Sequence, residues 1–144
     1  AELFRVLELA ETDMTTFFRA LGDVTGGAAP LHAAYYQPGK VSAEARLALD
    51  AWVATYLKRV ARDGRSHEAR REQMNAANPK YVLRNYLAQV AIDAAEKGSP
   101  DGVRELLDVL RRPYDEQPGR ERFAEKRPEW ARHRPGCSML SCSS

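Results

Sequence analysis

Apolar residues recur at three- and four-residue spacing along most of the chain, the pattern of helices that each bury one face. Leu3, Phe4, Leu7, Met14, Phe17, Phe18 and Leu21 line one such face. Thr12 and Asp13 interrupt it and offer a cap for a second helix, and Gly22 ends it. Over residues 22–41 the pattern breaks: Gly22, Gly26, Gly27, Pro30, Pro38 and Gly39 predict a loop. Within it a short turn is expected at 31–36, packed by Tyr35 and Tyr36. Ser42 predicts the next N-cap, with Val41 as a hydrophobic staple. Leu49, Trp52, Val53, Tyr56, Leu57 and Val60 form the stripe that follows, up to Asp63-Gly64. Ser66 caps a short polar helix that ends near Asn75.

Asn78-Pro79 reads as a further start, with Asn at the N-cap and Pro at the first helical position. The helix it predicts carries Val82, Leu83, Tyr86, Leu87, Val90, Ala91 and Ala94 on a wide apolar face and closes at Lys97-Gly98. Ser99-Pro100 repeats the device ahead of Val103, Leu106, Leu107 and Leu110, and Pro113 stops that helix. Beyond it the periodicity fades into a tail rich in Arg and Glu, broken by Pro118, Gly119, Pro128, Pro135 and Gly136. Only Tyr114, Phe123 and Trp130 are suited to anchor it, so the tail is expected to lie over the helices or to be mobile. The expected fold is all-α: a compact bundle of about five or six helices over 1–114, with an irregular tail over 115–144.

Composition adds little to this picture and removes several function classes. With 44% hydrophobic and 29% charged residues the chain is an ordinary globular one. A net charge of +2 gives no global pull toward nucleic acid or membrane. No apolar run is long enough to span a bilayer, and the start is no signal peptide. The chain begins in a helical pattern without an initiator Met or a capping residue, as expected of a piece of a longer protein. Its cysteines, Cys137 and Cys142, both lie in the last eight residues, which excludes a disulfide scaffold and fits a reducing cytosol.

Candidate chemistry is sparse. Gly26-Gly27 lacks the preceding strand and the following lysine of a phosphate loop. His32, His67 and His133 are far apart; His133 and Cys137, four residues apart, fall short of a closed metal site. Two basic clusters, Lys58 to Arg71 and Arg120 to Arg134, are interleaved with acids and read as solvated helix faces rather than a nucleic-acid stripe. Arg84 and Asn85 place two hydrogen-bonding groups beside an apolar face, suited to bridging either a neighbouring domain or backbone carbonyls. Cys142, third from the end, is a thiol that reaches a partner if it is exposed, and one that Cys137 is able to bridge if the loop allows.

The run from Asn78 through Lys80, Tyr81, Val82, Leu83, Arg84, Asn85, Tyr86, Leu87 and Ala88 to Gln89 resembles the carboxy-terminal region of the selenoprotein O family. So do Ala91-Ile92, the stretch Leu110 to Tyr114, the closing Ser141-Cys142-Ser143-Ser144, Phe17 to Leu21, and Trp52 to Arg59. The resemblance implies a kinase-like enzyme that transfers AMP from ATP to Ser, Thr or Tyr of target proteins, using Mg2+ or Mn2+. None of that family's catalytic elements is matched here, so the resemblance implies no catalytic, cofactor-binding or metal residue in this chain. It implies that Cys142 stands where animal members carry selenocysteine, and where bacterial members carry a Cys that pairs with a thiol of the kinase-like domain. The expected role is therefore a helical domain of a bacterial cytoplasmic enzyme, structural and redox-regulatory. Its partners would be the kinase-like domain of the same chain and that enzyme's protein substrates. The alternative is a stand-alone helical module binding protein or nucleic acid.

Overall fold

Each helix of the first half after α1 (Glu2–Glu8) starts on the side-chain cap that the pattern predicts. In the computed structural model, which describes residues 2–137, Asp13 Oδ1 accepts the Thr16 amide at 2.8 Å and opens α2 (Met14–Ala20). Ser42 Oγ accepts the Ala45 amide at 3.1 Å and opens α3 (Ala43–Asp63), which Gly64 closes at φ 65°. Ser66 Oγ accepts the Ala69 amide at 3.2 Å and opens α4 (His67–Ala77). Each of these bonds satisfies an amide that a helix start leaves without an intrahelical partner.

The chain divides after Asn78 into two compact units. In the first, the glycine- and proline-rich stretch between α2 and α3 is more ordered than a loop. It holds 3-10 turns at Leu21–Asp23, Ala29–Ala34 and Pro38–Lys40. Val24, Ala28, Leu31, Ala34 and Tyr35 are all buried with Leu7, Phe17, Leu21, Leu49 and Val53 in one core. Backbone bonds tie the stretch down: the Asp13 amide donates to Ala34 O at 2.8 Å and the Tyr36 amide to Glu11 O at 3.1 Å. The Tyr36 hydroxyl donates to Asp13 Oδ2 at 2.8 Å, so one buried carboxylate serves both the cap and the stretch. Phe17 sits centrally, edge-on to Phe18 at 5.6 Å between centroids and tilted to Trp52 at 6.3 Å.

Two arginines of this unit act inward. Arg70 donates to the Tyr56 hydroxyl at 2.8 Å and to Val24 O at 2.6 Å, joining α3, α4 and the 21–24 turn. Arg19 donates to Asn75 O and Asn78 O, both at 2.9 Å, and so collects the carbonyls that the end of α4 leaves open.

In the second unit the expected helix start at Asn78-Pro79 is corrected. The helix α5 spans Asn85–Glu96, with Arg84 at its N-cap and no side-chain cap bond. Asn78 instead terminates α4: its amide and its Nδ2 both donate to Met74 O, at 2.9 and 2.8 Å. Residues 79–84 run outside any helix because the Lys80 and Tyr81 amides donate to Pro113 O, at 2.8 and 3.1 Å. That pairing seats the Tyr81 ring, 1% exposed, in a core with Ala91, Leu106, Val109 and Phe123. The next start also differs. Helix α6 spans Asp101–Leu110 without a side-chain cap, because the Ser99 amide closes α5 on Ala94 O, with Gly98 at φ 88°.

The apolar faces of both helices are only partly buried. Val90 and Ile92 of α5, and Val103 and Leu107 of α6, remain exposed, while Val109 is fully enclosed; Leu83, ahead of α5, is exposed as well. Residues 115–137, without helical periodicity, hold 3-10 turns at Glu121–Ala124 and Glu129–Ala131 and bury Phe123, Ala131 and Cys137. Tyr114 and Trp130 stay about half exposed, so of the three expected anchors only Phe123 is enclosed. Among the described residues the architecture is all-α; the nearest thing to a sheet is the isolated bridge between Thr12 and Tyr35.

Phe17→Ala is expected to destabilise the first unit by about 3–5 kcal/mol, the range for removing a fully buried phenylalanine. Leu47→Ala, at a side chain 69% exposed, is expected to change it by no more than about 0.5 kcal/mol. Chemical denaturation followed through Trp52 emission in a Trp130→Phe background checks both.

Candidate functional site

The residues with the most distinctive sequence pattern lie at the start of α5, and the terminal segment folds back onto that same region. Arg84, 7% exposed, occupies the N-cap position and Asn85, half-buried, the first helical position. One residue on, Tyr86 is buried with Ala131 and Cys137. Its hydroxyl donates to Glu125 O at 2.7 Å, and its ring meets Trp130 edge-on at 6.3 Å. A turn further along, Gln89 Nε2 donates to Asp93 Oδ1 at 2.8 Å, and Asp93 forms an ion pair with Arg134. Gly136 takes φ 81°, which favours glycine, and lies against the end of the Gln89 side chain, which would have to shift to admit a Cβ. The chain thus returns along α5 and delivers Cys137 beside Tyr86.

Cys137 is a free thiol, 1% exposed, and its amide donates to Arg134 O at 3.0 Å. Composition placed it in a loose tail; packing places it in a core, because Tyr86 and Ala131 enclose it. Cys142 lies outside the described residues, and with it the bridge to Cys137. The ties through Tyr86, Gln89 and Asp93 were missed in the sequence. A signal was present, in that Gln89 and Asp93 sit four apart and so share a helix face.

The remaining candidates are spread out. The His32 ring stacks on Tyr35 at 5.9 Å, His67 is the half-buried first residue of α4, and His133 is exposed. No group of three His, Cys, Asp or Glu side chains converges on a metal-sized site among the described residues. Several members of the basic clusters pair with acids: Arg59 with Asp63 and Arg71 with Asp23 in the first, and Arg120 with Asp108, Arg122 with Glu105 and Arg132 with Glu129 in the second. No helix among the described residues is long and apolar enough to cross a membrane.

An open groove of about 530 Å³ runs between Gly26-Gly27-Ala28 and α3, lined by Asp50, Val53, Ala54, Leu57, Lys58 and Ala61. It follows the side of the helix rather than its N-terminus, so no fan of free amides faces it. With one carboxylate, one ammonium and an otherwise aliphatic floor, these residues do not fit ATP with a divalent metal.

Hydrogen bonds from Gln89 and then Arg134 hold the Asp93 carboxyl below its ordinary value. A carboxylate favoured in the folded state adds stability above its unfolded pKa and loses it as pH falls through the folded one. The return of the chain onto α5 is therefore expected to be insensitive to pH from 7 to about 5 and to loosen below about 4. Emission of Trp130 in a Trp52→Phe background reads this, and Asp93→Asn is expected to reduce the acid step, the remainder coming from carboxylates such as Asp108, which Arg120 likewise holds below its ordinary value.

No protein-family model matches the chain. Curated relatives do, over 99% of its length. It is 57% identical to the protein nucleotidyltransferase YdiU of Rhodopirellula baltica, 55% to that of Aromatoleum aromaticum and 53% to that of Xanthomonas campestris pv. campestris. The chain spans only 28–29% of the length of these relatives. Identity of 53–57% over 99% of the chain leaves one conclusion: the chain belongs to the YdiU family, that is, the selenoprotein O family.

Proposed function

We propose that this chain is the carboxy-terminal helical part of a protein adenylyltransferase that transfers AMP from ATP to Ser, Thr or Tyr of target proteins. The single observation that carries the reading is the whole-chain match to proteins named protein nucleotidyltransferase, of which the chain spans little more than a quarter. ATP and its Mg2+ or Mn2+ then bind in the kinase-like part of the longer polypeptide, and the poor fit of the Gly26–Ala61 groove to ATP agrees with that division. This chain's own contribution is structural: its ion pairs and caps are spent on holding two helical units, and the buried Arg84 and half-buried Asn85 at the start of α5 are the pair proposed to meet the kinase-like domain. The setting is the bacterial cytoplasm.

Cys142 adds regulation in this reading. In its thiolate form it attacks a small-molecule disulfide, and a thiol of the kinase-like part then displaces the small thiol. The net change is loss of two electrons and two protons by the protein pair and reduction of the small disulfide to two thiols. The latch that results restrains the enzyme until a reductant opens it.

Incubation with labelled ATP, Mn2+ and an acceptor protein tests the reading. Label is expected on the acceptor with the longer protein and none with the 144-residue chain; transfer by the chain alone contradicts it. Reductant is expected to raise transfer by the longer protein, and Cys142→Ser to remove that sensitivity. Unchanged redox sensitivity in the variant sinks the latch.

A further inference from the structure

Helices α5 and α6 are joined by only the four residues 97–100, which makes them an antiparallel hairpin. Their contact line is marked by Gly102, where an added Cβ would lie 3.9 Å from Ala91 Cα. One step along a helix turns the side chain by about 100°. In an antiparallel pair, one step past the contact position turns both chains toward the same side. Ile92 follows Ala91 and Val103 follows Gly102, so they share a face, and Leu107 extends it one helical turn beyond Val103.

That face is bare. Ile92 is 47% exposed, Val103 43% and Leu107 52%. The other side of the hairpin is covered: Tyr81 and Phe123 pack there against Leu106 and Val109, and Glu105 and Asp108 pair with Arg122 and Arg120 of the terminal segment. The described chain therefore closes one side of the hairpin with aromatic rings and ion pairs and leaves on the other a branched aliphatic patch.

We infer that the Ile92–Val103–Leu107 face is the surface against which the remainder of the longer polypeptide packs. The inference rests on the reading of this chain as part of a longer enzyme. The occupant is chosen by length: more than two thirds of each relative lies outside the stretch that this chain matches. The chemistry agrees, since aliphatic side chains without charge at the centre suit a permanent contact, whereas a transient partner's site carries more polar groups. The occupying surface is accordingly apolar at its centre.

Thiol labelling of the full-length protein tests the face. Leu107→Cys places a thiol on it, and Leu47→Cys places one on α3 at a side chain 69% exposed. Maleimide labelling at each position is followed by mass spectrometry of the peptides. In the full-length protein the position-107 thiol is expected to react at least about tenfold more slowly than the position-47 thiol, since covered sites react through local opening. In the 144-residue chain the two are expected to react at similar rates. Equal rates in the full-length protein overturn the inference. So does protection that vanishes on dilution, which assigns the face to a second copy. AMP transfer by the same preparation is scored separately: an inactive protein with a protected face refutes the enzyme reading alone, and an active protein with an open face refutes the packing inference alone.

Discussion

One carbonyl oxygen organises the second unit. Pro113 O accepts the amides of Lys80 and Tyr81, at 2.8 and 3.1 Å, and so joins the strand-like approach to α5 with the exit from α6. Proline at 113 has no amide to extend the helix, while its carbonyl remains free to accept. From this junction the rest follows. Tyr81 is drawn fully into the core, its hydroxyl reaches Gln117 O at 3.5 Å, and Gln117 caps the end of α6 through Val109 O and Arg112 O at 3.0 and 2.9 Å. Gln117 is itself buried, so its amide replaces water for carbonyls that would otherwise be stranded.

The same junction sets where the chemistry-bearing residues lie. With 79–84 held outside the helix, Arg84 becomes the N-cap residue of α5 and Tyr86 faces the returning chain rather than α6. The terminal segment is then fastened along α5 in succession by Tyr86, Gln89 and Asp93, and it brings Cys137 into the interior. Buried there among apolar side chains, Cys137 behaves as a small hydrophobe rather than as an exposed redox thiol. The regulatory role proposed for Cys142 concerns a residue outside the described ones.

What was legible in the sequence was local. Asp13, Ser42 and Ser66 cap helices three residues away, and Gly64 needs a left-handed backbone that only its own identity supplies. What was not legible was long-range. Asn78-Pro79 carries every local sign of a helix start, yet a carbonyl on the far side of α6 claims the next two amides. Pro30 and Pro38 mark a loop by composition, but Leu31 and Tyr35 between them fill the first core. The spacing of Val103 and Leu107 gives an apolar stripe correctly and cannot say that nothing within the described residues covers it. For the site, the run from Asn78 to Gln89 carried the family resemblance, and the curated relatives agree with the family; the contacts of Tyr86, Gln89 and Asp93 required the fold.

The division of labour proposed for the enzyme places nucleotide binding wholly outside these 144 residues. Calorimetric titration of ATP and Mn2+ into the 144-residue chain and into the longer protein measures this directly. Saturable heat from the longer protein and none from the chain is the expected result. Saturable, metal-dependent binding of ATP by the chain itself would contradict it.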